Sequence, residues 1–138
     1  MASKTELAWA AGFFDGEGYI TGRPQRQRAN GLERAYPRLR IAVAQCDPEV
    51  LNRFLGAVRL GKVKGPYAWK EKPTWSPKYY YECSRPGAVM TVVASLWSYL
   101  SSIKRQQAKE AILEWRKGAV SFADVLPPKS HAGRKVKK

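Results

Sequence analysis

Histidine is almost missing from this 138-residue chain, with one copy, His131, near the C-terminal end. Cysteine occurs twice, as Cys46 and Cys83, far from any metal-ligand spacing. These scarcities remove Ser/His and Cys/His nucleophilic catalysis and His-based zinc chemistry. No apolar run reaches the length of a membrane span. The stretch after Lys4 is too short, before Asp15, for the apolar core of a signal peptide. The chain is therefore expected inside the cell, with both cysteines reduced and structural. Acid is also scarce, at 11 Asp and Glu against 25 Lys and Arg, for a net charge of +14.

What is present is an ordinary globular composition, 44% hydrophobic, and a length suited to one domain with a real core. The charge is unevenly placed. Residues 129–138 carry Lys129, Arg134, Lys135, Lys137 and Lys138 with no acid. Segments 19–45 and 61–84 together carry eleven Lys and Arg against Glu33, Glu71 and Glu82. Charge concentrated in this way points to a polyanionic partner.

Ser3 and Glu6 form a capping-box pattern that starts a helix at about Lys4, with apolar residues nearly all round it. From Tyr19 to Gln45 the pattern becomes strand, loop and strand, with the Arg/Gln-rich stretch Gln25 to Gly31 nearest the turn. In the second strand Leu39, Ile41 and Val43 alternate with Tyr36, Arg38, Arg40, Ala42 and Ala44, giving an apolar face and an arginine face. Asp47-Pro48-Glu49 opens a second helix, with Val50, Leu51, Phe54, Leu55 and Val58 as its stripe and Gly61 after its end. Strands are expected over about 62–70 and 77–84. Ser84-Arg85-Pro86 opens a helix whose core face is Val89, Val92, Val93, Leu96, Trp97 and Leu100. A last helix is expected over roughly 103–117, ending at Gly118, with a short turn near Ser121–Val125. Pro127-Pro128 closes the ordered part, so the expected organisation is a domain over 1–126 and a disordered basic tail over 127–138.

The run Ala10-Ala11-Gly12-Phe13-Phe14-Asp15-Gly16-Glu17-Gly18-Tyr19 carries the most information. It places two carboxylates at a helix C-terminus, where acids are disfavoured by up to about 1 kcal/mol. Both call for a compensating cation, and a divalent metal is the obvious candidate. Ala8, Gly12 and Gly16 recur at every fourth position, a small-residue stripe that admits close approach of another backbone.

Residues 10–18 resemble the LAGLIDADG motif of homing endonucleases. Ala11-Gly12, Phe13-Phe14, Asp15, Glu17 and Gly18 match it, while Ala10 replaces its opening leucine, Gly16 its alanine and Glu17 its second aspartate. The resemblance extends in element order over about residues 4–117. It implies an α+β fold, αββαββα, whose antiparallel sheet forms a saddle over DNA. It further implies a homodimer paired through the first helix at Ala8, Gly12 and Gly16, because the motif occurs once. The implied activity is a metal-dependent double-strand cut in a long, approximately palindromic duplex, with Mg²⁺ as cofactor and Mn²⁺ as a substitute. Glu17 is then the metal ligand, with the Gly16 carbonyl as a further donor. Asp15 is either a second catalytic acid or mainly an organiser of the helix end. Gln45 and Lys104 match a polar residue near the attacking water and a basic residue beside the phosphate; Gln107, one turn on, is a weaker candidate.

For recognition, Arg and Gln on the strands suit guanine and adenine edges in the major groove. The candidates are Arg23, Gln25, Gln27, Arg38 and Arg40 in the first hairpin and Lys62, Lys64, Lys78 and Tyr80 in the second. Arg26, Arg28 and Asn30 near the hairpin turn reach bases or phosphates. Trp69 and Trp75 read as packing residues rather than base stackers. A non-cleaving binder on the same fold, an intron RNA maturase or a DNA-binding regulator, is the alternative. A generic RNA-binding module would have no need of Asp15 and Glu17.

Overall fold

The computed structural model describes residues 2–125. The expected basic tail, His131 included, lies outside the described residues. The order is α1 (Lys4–Glu17), β1 (Gly18–Thr21), β2 (Gln25–Ala29), β3 (Leu32–Tyr36), β4 (Arg40–Gln45), α2 (Pro48–Val58), β5 (Lys62–Tyr67), β6 (Lys78–Cys83), α3 (Pro86–Leu96), a 3-10 turn (Trp97–Tyr99) and α4 (Ser102–Val125).

Helix starts follow their capping chemistry. The Ser3 hydroxyl accepts from the Glu6 amide at 3.1 Å, and an Asp47 carboxylate oxygen accepts from the Glu49 amide at 2.9 Å. The capping box is only half formed. The Glu6 side chain turns away to pair with both Nε and Nη2 of Arg53 on α2, at 3.0 and 2.7 Å. Arg53 also lies 3.8 Å over the Trp9 ring, so one guanidinium ties α1 to α2 by charge and by stacking. The pairing holds the Glu6 carboxyl below its usual range.

The expected pair of strands over 19–45 is one long antiparallel hairpin in a single register, broken once. β1 pairs with β4 from Gly18 opposite Val43 to Thr21 opposite Arg40, and β2 pairs with β3 from Gln25 opposite Tyr36 to Ala29 opposite Leu32. The break over 22–24 and 37–39 contains Pro24 and Pro37, which have no amide to donate to a ladder. At the tip, Asn30 and Gly31 both take positive φ, 54° and 77°, the two-residue turn that matches strand twist.

The main sheet runs β1-β4-β6-β5, all antiparallel. One face is covered by helices: Leu39, Ile41, Val43, Tyr81 and Cys83 are buried with Phe14, Phe54, Leu51, Val89, Val92 and Leu96. Tyr81 anchors this core. Its ring meets Phe54 edge-on at 4.8 Å and its hydroxyl donates to the Leu60 carbonyl at 2.6 Å. Cys83 and the exposed Cys46 are free thiols.

α4 departs from expectation. It passes through Gly118 to Val125, and residues expected as a turn are helical. Gly118 is an interior residue facing the broken hairpin, where an added Cβ would lie 3.8 Å from Pro37 and 3.9 Å from Pro24. Closer to β1, the contact is tighter still. An added Cβ at Gly22 would fall 1.8 Å from the Ala111 carbonyl oxygen. Tertiary packing against the hairpin thus overrides the weak helix preference of glycine. Among the described residues no helix is long and apolar enough to cross a membrane.

Candidate active site and nucleic-acid interface

The end of α1 is where distant parts of the chain meet. Asp15 and Glu17, adjacent acids of the motif, have different surroundings. The Asp15 carboxylate accepts from the Ser101 amide at 3.1 and 3.2 Å and from the Ser101 hydroxyl at 3.2 Å. Ser101 in turn caps α4, its hydroxyl accepting from the Lys104 amide at 3.1 Å. An acid disfavoured at the C-terminus of α1 is therefore favoured by the N-terminus of α4. The cation expected to compensate Asp15 is replaced by that helix end.

Glu17 has no such partner. Its side chain is exposed and, among the described residues, makes no hydrogen bond or ion pair. It is followed by Gly18, whose amide closes the helix on the Phe14 carbonyl.

Lys104 comes to the same point from α4. It is 8% exposed, a buried charge, and its Nζ donates to the Gly18 carbonyl at 3.0 Å and lies 5.4 Å from the Phe14 ring. The negative end of α1 and the ring face offset part of the desolvation cost of the ammonium. A positive charge is thereby fixed on the carbonyl of the residue that follows Glu17.

Gln45 is half-buried at the end of β4, opposite Tyr79. Since Val43 is already level with Gly18, Gln45 continues past the start of β1 toward the helix end. Gln107, exposed on α4, lines a polar groove with Gly18, Tyr19 and Arg23.

The donor set at this helix end suits a hard divalent cation only in part. Glu17 supplies one unengaged carboxylate, and terminal helix carbonyls such as that of Gly16 are oxygen donors; Asp15 is already engaged. Among the described residues no group of three or more acidic, Cys or His side chains could hold a metal. Mg²⁺ tolerates such sparse protein ligation because water and phosphate fill its remaining positions.

The face of the sheet away from the helices is basic. Strand registry places Tyr19, Thr21, Arg40, Ala42, Ala44, Lys62, Lys64, Tyr67, Lys78, Tyr80 and Glu82 on it. Arg38 joins this face by donating to Gln25 and, at 3.5 Å, to Glu82. In the hairpin arm Gln25 and Gln27 share a side with Arg34 and Tyr36, while Arg26 and Arg28 alternate onto the other side. Arg26 pairs there with Glu33 at 3.0 Å. The hairpin candidates thus divide between two faces. Arg34 was missed, although alternation back from Arg38 reaches it. Arg23 and Asn30 are exposed, Asn30 within the turn.

Glu82 is the other residue missed. It lies within the basic face, its side chain 12% exposed, and accepts from Lys64 at 2.7 Å and from Arg40 at 2.6 Å. The Lys64 ammonium first, and the Arg40 guanidinium after it, hold its carboxyl well below the usual range, at about 2. A single acid between two basic strands carried no local signal. Trp69 and Trp75 pack edge-on against each other at 5.8 Å in the loop after β5.

No protein-family model and no curated protein matches the sequence. Solved structures do. The homing endonuclease I-CvuI, in complex with a DNA target, superposes with a TM-score of 0.61 at 23% identity, over 83% of this chain and 68% of that one. The archaeal intron-encoded homing endonuclease I-Vdi141I, complexed with DNA, gives 0.54 at 16% identity, over 88% and 70%. The LAGLIDADG homing endonuclease I-GzeII, also with its DNA target, gives 0.53 at 14% identity, covering 94% of this chain but 40% of that one. The chain has the fold of the LAGLIDADG homing endonucleases, as residues 10–18 and the element order implied.

Proposed function

We propose that this chain is a site-specific DNA endonuclease that cuts both strands of a long, approximately palindromic duplex as a homodimer. The observation that carries the reading is the meeting at the end of α1. The buried ammonium of Lys104 is held on the carbonyl of Gly18, the residue that follows Glu17, and the Glu17 carboxylate itself is exposed and unengaged among the described residues.

The basic strands bind the phosphate backbone and present Arg and Gln to the major groove. Glu17, with the Gly16 carbonyl, supplies oxygen ligands. Magnesium, when bound, supplies charge neutralisation at the scissile phosphate. Lys104 holds positive charge where negative charge builds on the phosphate oxygens, without reorganising during the step. Gln45 orients the attacking water from the end of β4. Asp15 works through Ser101, fixing the start of α4 and with it Lys104.

One chain supplies one such set, and two strands require two. Ala8, Gly12 and Gly16 are exposed along α1, and an added Cβ at either glycine would meet no atom within 4 Å. That stripe suits a second copy of the same helix across a two-fold axis. The protein acts in the compartment that holds its target DNA. I-CvuI was solved on DNA with Mg and, separately, with Ca, which accords with a divalent metal here.

The test is a cleavage selection on a randomised duplex library with Mg²⁺ or Mn²⁺, run beside Glu17→Gln. A site cut on both strands by the native chain alone supports the reading. Tight binding with no cut under either metal replaces it with a non-cleaving regulator or maturase.

A further inference from the structure

Glu82 is an acid in the middle of a surface suited to a polyanion, and its geometry explains what it does there. Lys64 Nζ donates to Oε1 at 2.7 Å, while Arg40 Nε at 2.6 Å and Arg38 Nη2 at 3.5 Å donate to Oε2. Both oxygens are engaged, so the carboxylate acts on its neighbours rather than accepting from a base amino group.

The two arginines are left in different states. Arg38 is spanned at both ends of its fork, with Nη1 on Gln25 and Nη2 on Glu82. Arg40 is held by Nε, and among the described residues its Nη1 and Nη2 make no hydrogen bond. That terminal edge is the one that pairs bidentately with guanine O6 and N7. A recess of about 360 Å³ opens beside it, walled by Tyr67, Trp69 and Tyr80, so a base edge can approach without displacing a packed side chain.

We propose that Glu82 is a positioning residue for sequence discrimination, holding Arg40 by Nε so that its terminal edge meets one guanine of the bound duplex. This rests on the DNA-binding reading above and deepens it. Freed of Glu82, Arg40 becomes a mobile cation that binds any phosphate, and the surface gains a net positive charge. Loss of the acid therefore strengthens indiscriminate binding while weakening the choice of base.

The experiment is a binding selection with the full chain on a randomised duplex library, with a chelator present so that no strand is cut. Arg40→Ala identifies the base pair read by Arg40 as the one whose preference it loses. Glu82→Met, which keeps the length of the side chain but has no oxygen to accept from Arg40, should lose roughly tenfold of the guanine preference at that pair. Other positions keep theirs, and binding to unselected duplex rises. The double variant Lys64→Gln with Glu82→Met restores the native charge of the cluster while leaving Arg40 with no oxygen at position 82 to hold it. It should lose the same preference with no rise in unselected binding, and it decides the matter should Glu82→Met alone fail to fold. Undiminished guanine preference in these variants, at a site the native chain selects, overturns the assignment alone. A native chain that selects no duplex overturns the DNA-binding reading itself.

Discussion

Asp15 and Ser101, 86 residues apart in sequence, are joined by both the amide and the hydroxyl of the serine donating to one carboxylate. This contact gives the two motif acids different surroundings. Asp15 docks α4 onto the end of α1 and thereby sets where Lys104 begins its reach to Gly18. Glu17 is left exposed, with no hydrogen bond or ion pair among the described residues.

The two acids should therefore separate by experiment. Asp15→Ala removes charge-assisted hydrogen bonds from a partly buried site and should lower stability by about 1–3 kcal/mol. Glu17→Gln should leave the melting curve within about 0.5 kcal/mol of the native one while abolishing strand scission. Urea melts and a cleavage assay on the same preparations check both. Equal destabilisation by the two substitutions would show that Glu17 is structural as well.

Lys104→Met tests the cation. The thioether fills the volume of the stem, but the Gly18 carbonyl loses its donor, so stability should fall by about 1–3 kcal/mol. Loss of preorganised charge beside the phosphate should slow cutting by roughly 10²–10³-fold. DNA affinity, measured with a chelator present, should change far less, because the strand cations remain. A rate within a few-fold of native would place the phosphate elsewhere.

Much of this was legible in the residues. Ser3, and Asp47 with Pro48, mark helix starts through local hydrogen bonds that a short window contains. Alternation in 39–44 separates the core face from the basic face, because strand period is a property of neighbours in sequence. The motif acids and Lys104 came through resemblance. What stayed hidden depends on residues far apart in sequence. Gly118 reads as a helix end until Pro24 and Pro37 are seen beside it. Glu6 reads as half of a capping box until Arg53 arrives from α2. Glu82 reads as one acid in a basic strand until β4 and β5 bring Arg40 and Lys64 to its two oxygens. Asp15 reads as an acid in need of a compensating cation until the capped start of α4 is seen to supply its donors.

Glycine substitutions separate the interior side of the molecule from the face proposed to pair. Gly22→Ala drives a methyl group into the Ala111 carbonyl and should cost about 1–3 kcal/mol or more. Gly12→Arg points into open space in the single chain, and arginine favours helix over glycine, so the monomer should fold at least as well. If the small-residue stripe is the two-fold interface, Gly12→Arg should convert a dimer to a monomer in sedimentation equilibrium and suppress double-strand cutting. A native chain that sediments as a monomer even on DNA would remove the stripe from the interface.

Acid should reveal the cost of breaking the Glu82 cluster. The carboxyl is lowered from 4.5 to about 2 in the folded chain, chiefly by Lys64 and then by Arg40. The unfolded chain therefore binds the proton at higher pH than the folded one. The stabilisation is complete above pH 4.5 and is lost as pH falls through that window toward about 2. Glu6, lowered by Arg53, acts with the same sign, but that pair is exposed and solvent screening leaves it little weight. Denaturant melts across this range should show stability falling with pH in the native chain. In Glu82→Gln, which carries no proton to bind, the slope should flatten while Arg38, Arg40 and Lys64 are left repelling one another, so the variant starts lower and declines less. An unchanged slope would mean that the three cations are held in place without the carboxylate.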